Sequence, residues 1–199
     1  RPHQSVDLVH LAARVVVDLP MGLGRLSDPR DGLHLTFGSL QAGHAPNVIP
    51  TEAILLGSLR SSGRTSWEQA PPRVRSLLAA IVEPLGGSWE LEHHQGAPPV
   101  VNHPWAVGLA TTAAAAVVGA GALQPVVQSA GGEDFSWYGD HAPLCYLRLG
   151  VRGPGAPVVD LHSGLFDIDE AAVAIGARVL AGAALEALAD LTAAAAPPA

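Results

Sequence analysis

The fold of this chain is decided by the alternating stretch Leu33-His34-Leu35-Thr36-Phe37-Gly38. Its apolar side chains occupy every second position, which is typical of a β-strand with one buried face. A second run with strand character covers residues 52–60, and the loop at residues 42–50 separates the two. We therefore predict an antiparallel hairpin with an unusually long loop.

A helix is predicted on each side of this hairpin. Residues 4–19 carry apolar side chains at helical spacing, with Ser5 as a suitable N-cap and Pro20 expected to help to end the segment. Residues 66–85 repeat the helical pattern. They include two consecutive prolines, which a helix tolerates only near its first turn. We therefore expect this helix to begin later than residue 66.

A third alternating stretch, at residues 88–94, predicts another strand. The order helix, strand, strand, helix, strand is that of a ferredoxin-like βαββαβ unit without its first strand. In that topology the missing strand lies between the third and fourth strands, so its absence opens backbone edges inside the sheet. We expect the rest of the gene or another chain to supply it. The predicted fold class is α/β (α+β).

A break in the pattern at residues 95–99 predicts a domain boundary, which divides the chain into residues 1–97 and 98–191. The second part combines helical and strand patterns. These are a helix at 104–119, an extended piece at 126–129, a helical turn at 135–138, an apolar strand at 144–150 and a helix at 169–191. The tail, residues 192–199, is predicted to be disordered.

The composition excludes several classes of partner. A net charge of −7 without a basic stripe argues against nucleic acid and anionic membranes. No uninterrupted apolar run approaches 18 residues, so we predict no membrane span. The single cysteine, Cys145, rules out an internal disulfide framework and predicts a reducing, cytoplasmic location. The chain begins at a predicted helix without a methionine, and we therefore expect it to be a fragment.

Two polar clusters are candidates for chemistry. His162 lies where a predicted strand gives way to a helix, and Asp160 could orient its ring, which is a plausible arrangement for a metal ligand. The alternative is an ordinary surface histidine. Glu133 and Asp134 follow two glycines. They could be a ligand or catalytic pair, or acids at the positive end of a helix.

Arg60 ends a strand whose face is otherwise apolar. Such an arginine needs a carboxylate partner, and a substrate carboxylate would serve through two parallel hydrogen bonds. A solvent-exposed sheet edge is the ordinary alternative. Asn47 lies in the loop between the strands, where asparagine is common turn chemistry. The sequence contains no G-x-S-x-G elbow, phosphate-binding loop or H-E-x-x-H motif.

Five stretches, in this order, resemble the metal-dependent aminoacylase/carboxypeptidase-type amidohydrolases, and most closely the branch of hippurate and indole-acetyl-amino-acid hydrolases. The resemblance extends to about Leu191. The stretches are Arg1-Pro2-His3, Ala45-Pro46-Asn47-Val48-Ile49-Pro50, Gly57-Ser58-Leu59-Arg60, Gly132-Glu133-Asp134-Phe135-Ser136 and Leu161-His162-Ser163 with Phe166-Asp167.

The resemblance implies a zinc-peptidase-like catalytic domain with two divalent metal ions (zinc, or manganese or cobalt). It also implies an inserted ferredoxin-like lid that forms a homodimer. His162 matches the final metal ligand, Asn47 and Arg60 match lid residues that bind the carboxylate end of the substrate or the transition state, and Gly132 and Glu133 match a turn lining the substrate pocket. The implied reaction is hydrolysis of N-acyl amino acids or small peptides by a metal-activated water.

The other motifs of that family would lie upstream of Arg1. They are an early Cys-x-His pair, a Glu-Glu pair that includes the general base, a further histidine ligand and a lid histidine. We therefore expect this chain to be the C-terminal portion of such an enzyme and to be inactive alone, with His162 unliganded. The alternative is a ferredoxin-like binding or dimerisation module without chemistry of its own.

Overall fold

The computed structural model describes residues 2–195, which form a mixed α/β structure, as predicted. They divide into two compact units, one comprising residues up to Pro99 together with Ala130–Ser136, the other Val100–Ser129 and the residues from Trp137 onward. The helices and strands are α1 (Leu8–Leu26), β1 (His34–Ala42), β2 (Ala53–Arg60), α2 (Arg64–Val82), α3 (Pro104–Val118) and α4 (Ala171–Ala195). Short 3-10 helices include Pro29–Asp31 and Asp134–Asp140.

The predicted hairpin is confirmed. Strands β1 and β2 pair antiparallel, with His34 opposite Arg60 and Ala42 opposite Ala53, and a bulge interrupts the register between Phe37 and Ser39. Arg60 is therefore the last paired residue of β2. The ferredoxin-like assignment of the first unit remains a prediction.

The core of the first unit lies between α1, α2 and the hairpin. Each helix buries one stripe of side chains at a spacing of four residues, which is the pattern of an amphipathic helix. Leu33 and the inward side chains of both strands cover this stripe from the sheet side. The buried helix residues are Leu11, Val15, Leu19 and Leu23 of α1, and Ala70, Val74, Leu78 and Val82 of α2.

Both predicted limits of the first helix are wrong. The N-cap is Asp7 and not Ser5, because the Asp7 carboxylate accepts a hydrogen bond from the backbone N–H of His10 at 3.0 Å. Pro20 lies inside α1 and does not end it. A buried leucine truncated to alanine costs about 2–5 kcal/mol, which is comparable with the ~3 kcal/mol cost of an internal proline. Burial of Leu19 and Leu23, on either side of Pro20, therefore outweighs the tendency of the proline to end the helix.

The predicted late start of the second helix is also wrong. Helix α2 begins at Arg64 and carries Pro71 and Pro72 inside it. Ala70 and Val74, which flank the two prolines, both belong to the buried core of the first unit. Tertiary packing thus again overrides the low helix propensity of proline.

The strand predicted at residues 88–94 pairs with no other strand in the described part of the chain, where the sheet has two strands only. Burial nevertheless alternates along this segment, and Trp89 and Leu91 pack against the core. The side-chain pattern of a strand is thus present without a hydrogen-bonded neighbour. The pieces predicted at 126–129 and 144–150 are likewise unpaired between residues 2 and 195.

The second unit is built on α3 and α4. Gly182 of α4 lies so close to α3 that a methyl group there would come within 3.2 Å of the Ala113 Cβ. The Trp105 indole N–H donates to the Asp190 carboxylate at 2.7 Å. Helix α4 continues to Ala195 and so includes residues 192–195 of the tail for which disorder is predicted, while residues 196–199 lie outside the described part.

Helix α4 is unusually apolar. An 18-residue stretch within its segment Ala171–Ala193 has a mean hydropathy of 1.7, and by length and composition alone the segment could cross a membrane. Core helices of soluble proteins meet the same criterion. The helix is largely exposed in its own unit, where Ala172 and Val179 are its buried apolar residues.

Candidate functional site

Arg60 contacts a turn that is 70 residues further along the chain. Its Nη1 donates to the backbone carbonyl of Ala130 at 3.1 Å. A Cβ at Gly132 would lie 3.9 Å from the same nitrogen. Two stretches that the sequence singled out separately, the end of β2 and the Gly131–Ser136 turn, therefore meet in the first unit.

Glu133 organises that turn. Its Oε1 accepts the backbone N–H of Phe135 at 3.2 Å, and its carbonyl accepts the N–H and the hydroxyl of Ser136 at 3.1 and 2.6 Å. Ser136 is only 3% exposed. Glu133 thus caps the 3-10 helix Asp134–Asp140, which matches the helix-start alternative for this pair of acids. Its role toward a substrate remains a prediction.

A second set of contacts holds the residues that directly follow Arg60, and sequence reasoning missed it. The carbonyl of Asp31 accepts the N–H groups of Ser62 and Gly63 at 2.6 and 3.2 Å and the hydroxyl of Ser61 at 3.3 Å. Its carboxylate accepts the hydroxyl of Ser66 at 2.5 Å. The only local signal in the sequence for these hydrogen bonds is Gly63, which directly precedes α2.

The other two predicted residues are not part of this hydrogen-bonded cluster, and each lies in a turn of its own. Asn47 is exposed in the hairpin loop, in a turn closed by the Val48 N–H and the Ala45 carbonyl at 3.4 Å. His162 belongs to the second unit and is exposed in a turn where the Ser163 N–H donates to the Asp160 carbonyl at 3.0 Å.

No complete metal centre is found among the residues that the structure describes. Between residues 2 and 195 there is no group of three or more His, Cys, Asp or Glu side chains placed to hold a metal ion. A protein metal site needs three or four such donors around the ion. His162 is therefore at most one donor of a larger set.

An open groove of about 420 Å³ in the second unit involves none of the predicted residues. It is lined in part by Asn102, His103, His141 and Leu144. The Asn102 side chain donates to the Tyr146 carbonyl at 3.0 Å and accepts its N–H at 2.8 Å, so it serves as a backbone partner for the 144–150 segment. Within that segment, burial raises the pKa of the Cys145 thiol, which agrees with a packing role.

The sequence profile of peptidase family M20/M25/M40 matches residues 9–186. A Synechocystis protein with the provisional name of a hydrolase is 33% identical over 92% of this chain and 47% of its own length. The N-acetyl-L-cysteine deacetylase of Bacillus subtilis is 29% identical, over 86% of this chain and 40% of its own length. A Rhodococcus jostii protein with the provisional name glutamate–cysteine ligase 2-3 is 37% identical over 90% of this chain, but over 23% of its own length.

The crystal structure of the Bacillus subtilis YXEP protein, described as a dinuclear metal binding peptidase from the M20 family, superposes with a TM-score of 0.71 at 26% identity. The match covers 90% of this chain and 46% of that protein. The chain thus spans about half the length, or less, of the relatives it matches. On the extent of the profile match, the chain belongs to peptidase family M20/M25/M40.

Proposed function

We propose that this chain is part of a metal-dependent amidohydrolase that cleaves N-acyl amino acids, and that Arg60 binds the substrate carboxylate. The observation that carries the proposal is the position of Arg60, at the exposed end of β2 and against the Ala130 carbonyl. The name of the N-acetyl-L-cysteine deacetylase supports the substrate class.

The chemistry of Arg60 suits a carboxylate ligand. A guanidinium has five N–H donors in a planar fork, and the Ala130 carbonyl engages one nitrogen. Among residues 2–195, Arg60 makes no ion pair with an acidic side chain. Two parallel hydrogen bonds to a carboxylate would use two of the four remaining donors and fix the orientation of the substrate.

The turn next to Arg60 would form one wall of the substrate site. Gly132 leaves space beside the guanidinium, and Glu133 is held by its bonds to Phe135 and Ser136. Asn47 lies in the hairpin loop, at the opposite end of β2 from Arg60. Its contact with a substrate therefore remains a prediction, separate from the site proposed at Arg60. In the reaction, water adds to the amide carbon and the C–N bond breaks, which releases a carboxylate and the free amino group of the amino acid.

The metal-dependent part of this chemistry needs donors beyond those described. His162 is proposed to be one ligand in a polypeptide of the relatives' full length, with the other ligands outside residues 2–195. For the same reason the 199-residue chain alone is expected to be inactive.

The test is hydrolysis of an N-acetyl amino acid by a polypeptide of the relatives' full length that contains this chain. We expect Arg60→Ala to raise KM for this substrate about ten- to a hundredfold, the effect of losing a bidentate charged contact. The KM for the corresponding carboxamide should change less than about twofold. Arg30→Ala is the matched control, because Arg30 is an exposed arginine whose partner is Asp28. Equal effects of Arg60→Ala on both substrates would refute the proposed role.

A further inference from the structure

We infer that Asp31 is a positioning residue for Arg60: it clamps the chain that leaves β2 and so directs the guanidinium toward the Ala130–Gly132 turn. This inference rests on the proposed function, since it concerns the substrate-binding role of Arg60. It adds a residue to which none of the sequence motifs pointed.

The backbone of Asp31 extends the hairpin beyond its last ladder pair. That pair is His34 and Arg60. The Asp31 carbonyl then accepts the N–H groups of Ser62 and Gly63. Arg60 is consequently fixed on its N-terminal side by β1 and on its C-terminal side by Asp31.

The carboxylate of Asp31 anchors the first turn of α2. It accepts the hydroxyl of Ser66, which is 3% exposed and therefore needs a buried partner. Gly63, the N-cap residue of α2, makes no side-chain capping bond. Asp31 thus supplies from outside the helix the negative charge that a helix N-terminus favours.

Gly63 shows how closely the clamp is packed. A Cβ at this position would lie 2.1 Å from the Asp31 Cγ, a separation that no side chain could occupy. The Gly63 backbone has φ −106° and ψ 134°, a conformation open to any residue. The requirement for glycine at position 63 therefore comes from the Asp31 carboxylate and not from the backbone.

These contacts matter to Arg60 because its guanidinium must reach across to a distant turn. The Nη1 to Ala130 distance is 3.1 Å, and binding a carboxylate in two parallel bonds tolerates little angular error. If the residues after Arg60 were free to move, the guanidinium would sample directions away from the turn. The hydrogen bonds of Asp31 to Ser62, Gly63 and Ser66 restrict this motion, and Asp31 does not itself contact the substrate.

The experiment compares KM for an N-acetyl amino acid with KM for its carboxamide, again in a polypeptide of the relatives' full length. Asp31→Ala keeps the backbone bonds to Ser62 and Gly63 and removes the carboxylate bond to Ser66. With that anchor lost, we expect a rise of about three- to tenfold in KM for the carboxylate substrate only, with kcat within about twofold. Ser66→Ala should shift KM in the same direction. Asp31→Asn should restore KM to within about twofold of the wild type, because the amide oxygen still accepts the Ser66 hydroxyl.

Asp28→Ala is the matched control, because Asp28 lies three residues away and its side chain bonds to Arg30 instead. Should Asp31→Ala not fold, Ser66→Ala and Asp31→Asn decide the question alone. If Arg60→Ala discriminates between the substrates but Asp31→Ala and Ser66→Ala do not, the inference is wrong and the proposed function stands. If Arg60→Ala does not discriminate, both are wrong. An equal rise in KM for both substrates would contradict the inference, because Asp31 would then stabilise the start of α2 without positioning Arg60.

Discussion

Gly63 and Asp31 form a residue pair whose coupling can be measured in the 199-residue chain. Gly63→Ala places a methyl group against the Asp31 carboxylate, and overpacking of this kind costs about 1–3 kcal/mol. Asp31→Ala removes the obstructing atoms, so the double variant should be no less stable than Asp31→Ala alone. Urea unfolding of the four proteins gives the coupling free energy.

Gly24→Ala is the control for this cycle. Gly24 lies inside α1 with open space around its Cα, so alanine there should stabilise the chain, by about 0.5–1 kcal/mol. Additive effects of Gly63→Ala and Asp31→Ala would show that the two residues do not meet as the structure places them.

The contribution of Asp28 to the free energy of unfolding should depend on pH. Hydrogen bonds from the Arg30 side chain and backbone lower the pKa of Asp28 from 3.8 to about 2. The folded pKa lies below the unfolded value, so the contribution to stability is present above about pH 4 and is lost as the pH falls toward 2. The side chain is exposed, and the effect should be small and weaken with salt.

Asp28→Asn should therefore reduce the free energy of unfolding slightly at pH 5, and the difference from the wild type should disappear near pH 2. Unfolding in urea at pH 5, 3 and 2 measures this difference. A difference that grows as the pH falls would contradict the assigned pair.

At the scale of the elements, α4 presents apolar side chains that its own unit leaves exposed, among them Leu180, Leu185 and Leu188. We interpret α4 as a core helix of a larger domain. Leu185→Gln and Leu188→Gln should then change the stability of the 199-residue chain by less than about 0.5 kcal/mol. In a polypeptide of the relatives' full length the same changes should destabilise by about 2–5 kcal/mol.

Val17→Gln, on the exposed side of α1, is the control and should have a small effect in both proteins. Cosedimentation of the full-length polypeptide with lipid vesicles, abolished by Leu185→Gln, would instead assign α4 to a membrane.

The same elements show what the sequence could predict. The hairpin was predictable because alternation at 33–38 and 52–60 is a local signal of burial on one face. The limits of α1 and α2 were not, because the core packing around Pro20, Pro71 and Pro72 is tertiary. The pattern at 88–94 predicts a strand, but pairing depends on a neighbour that the pattern does not contain.

The candidate site was predictable only in part, because its hydrogen bonds join residues that are distant in the sequence. Arg60 could be singled out as a candidate from its strand, and Gly132 and Glu133 from the family resemblance, but the Arg60–Ala130 contact joins residues 70 positions apart. The hydrogen bonds of Asp31 could not be predicted locally, since its partners are 30 to 35 residues further along the chain. Non-local hydrogen bonds leave no periodic signal in a sequence.

At the scale of the whole molecule, the chain belongs to peptidase family M20/M25/M40 yet spans less than half the length of the relatives named above. Its first unit holds Arg60 and the Gly131–Ser136 turn, and its second unit holds His162. Residues 2–195 contain no cluster of metal donors, although the B. subtilis relative is described as a dinuclear metal binding peptidase. Under the proposed function, the metal donors other than His162 would lie outside residues 2–195.

Under the proposed function, hydrolysis needs metal donors beyond this chain. This requirement is tested most directly by measuring the release of free amino acid from an N-acetyl amino acid, with zinc, manganese or cobalt supplied. The 199-residue chain is compared with a polypeptide of the relatives' full length. We predict no release above the buffer rate by the 199-residue chain with any of the three metals. The full-length polypeptide should hydrolyse the substrate and lose this activity with a chelator. Hydrolysis by the purified 199-residue chain, abolished by a chelator, would contradict the account.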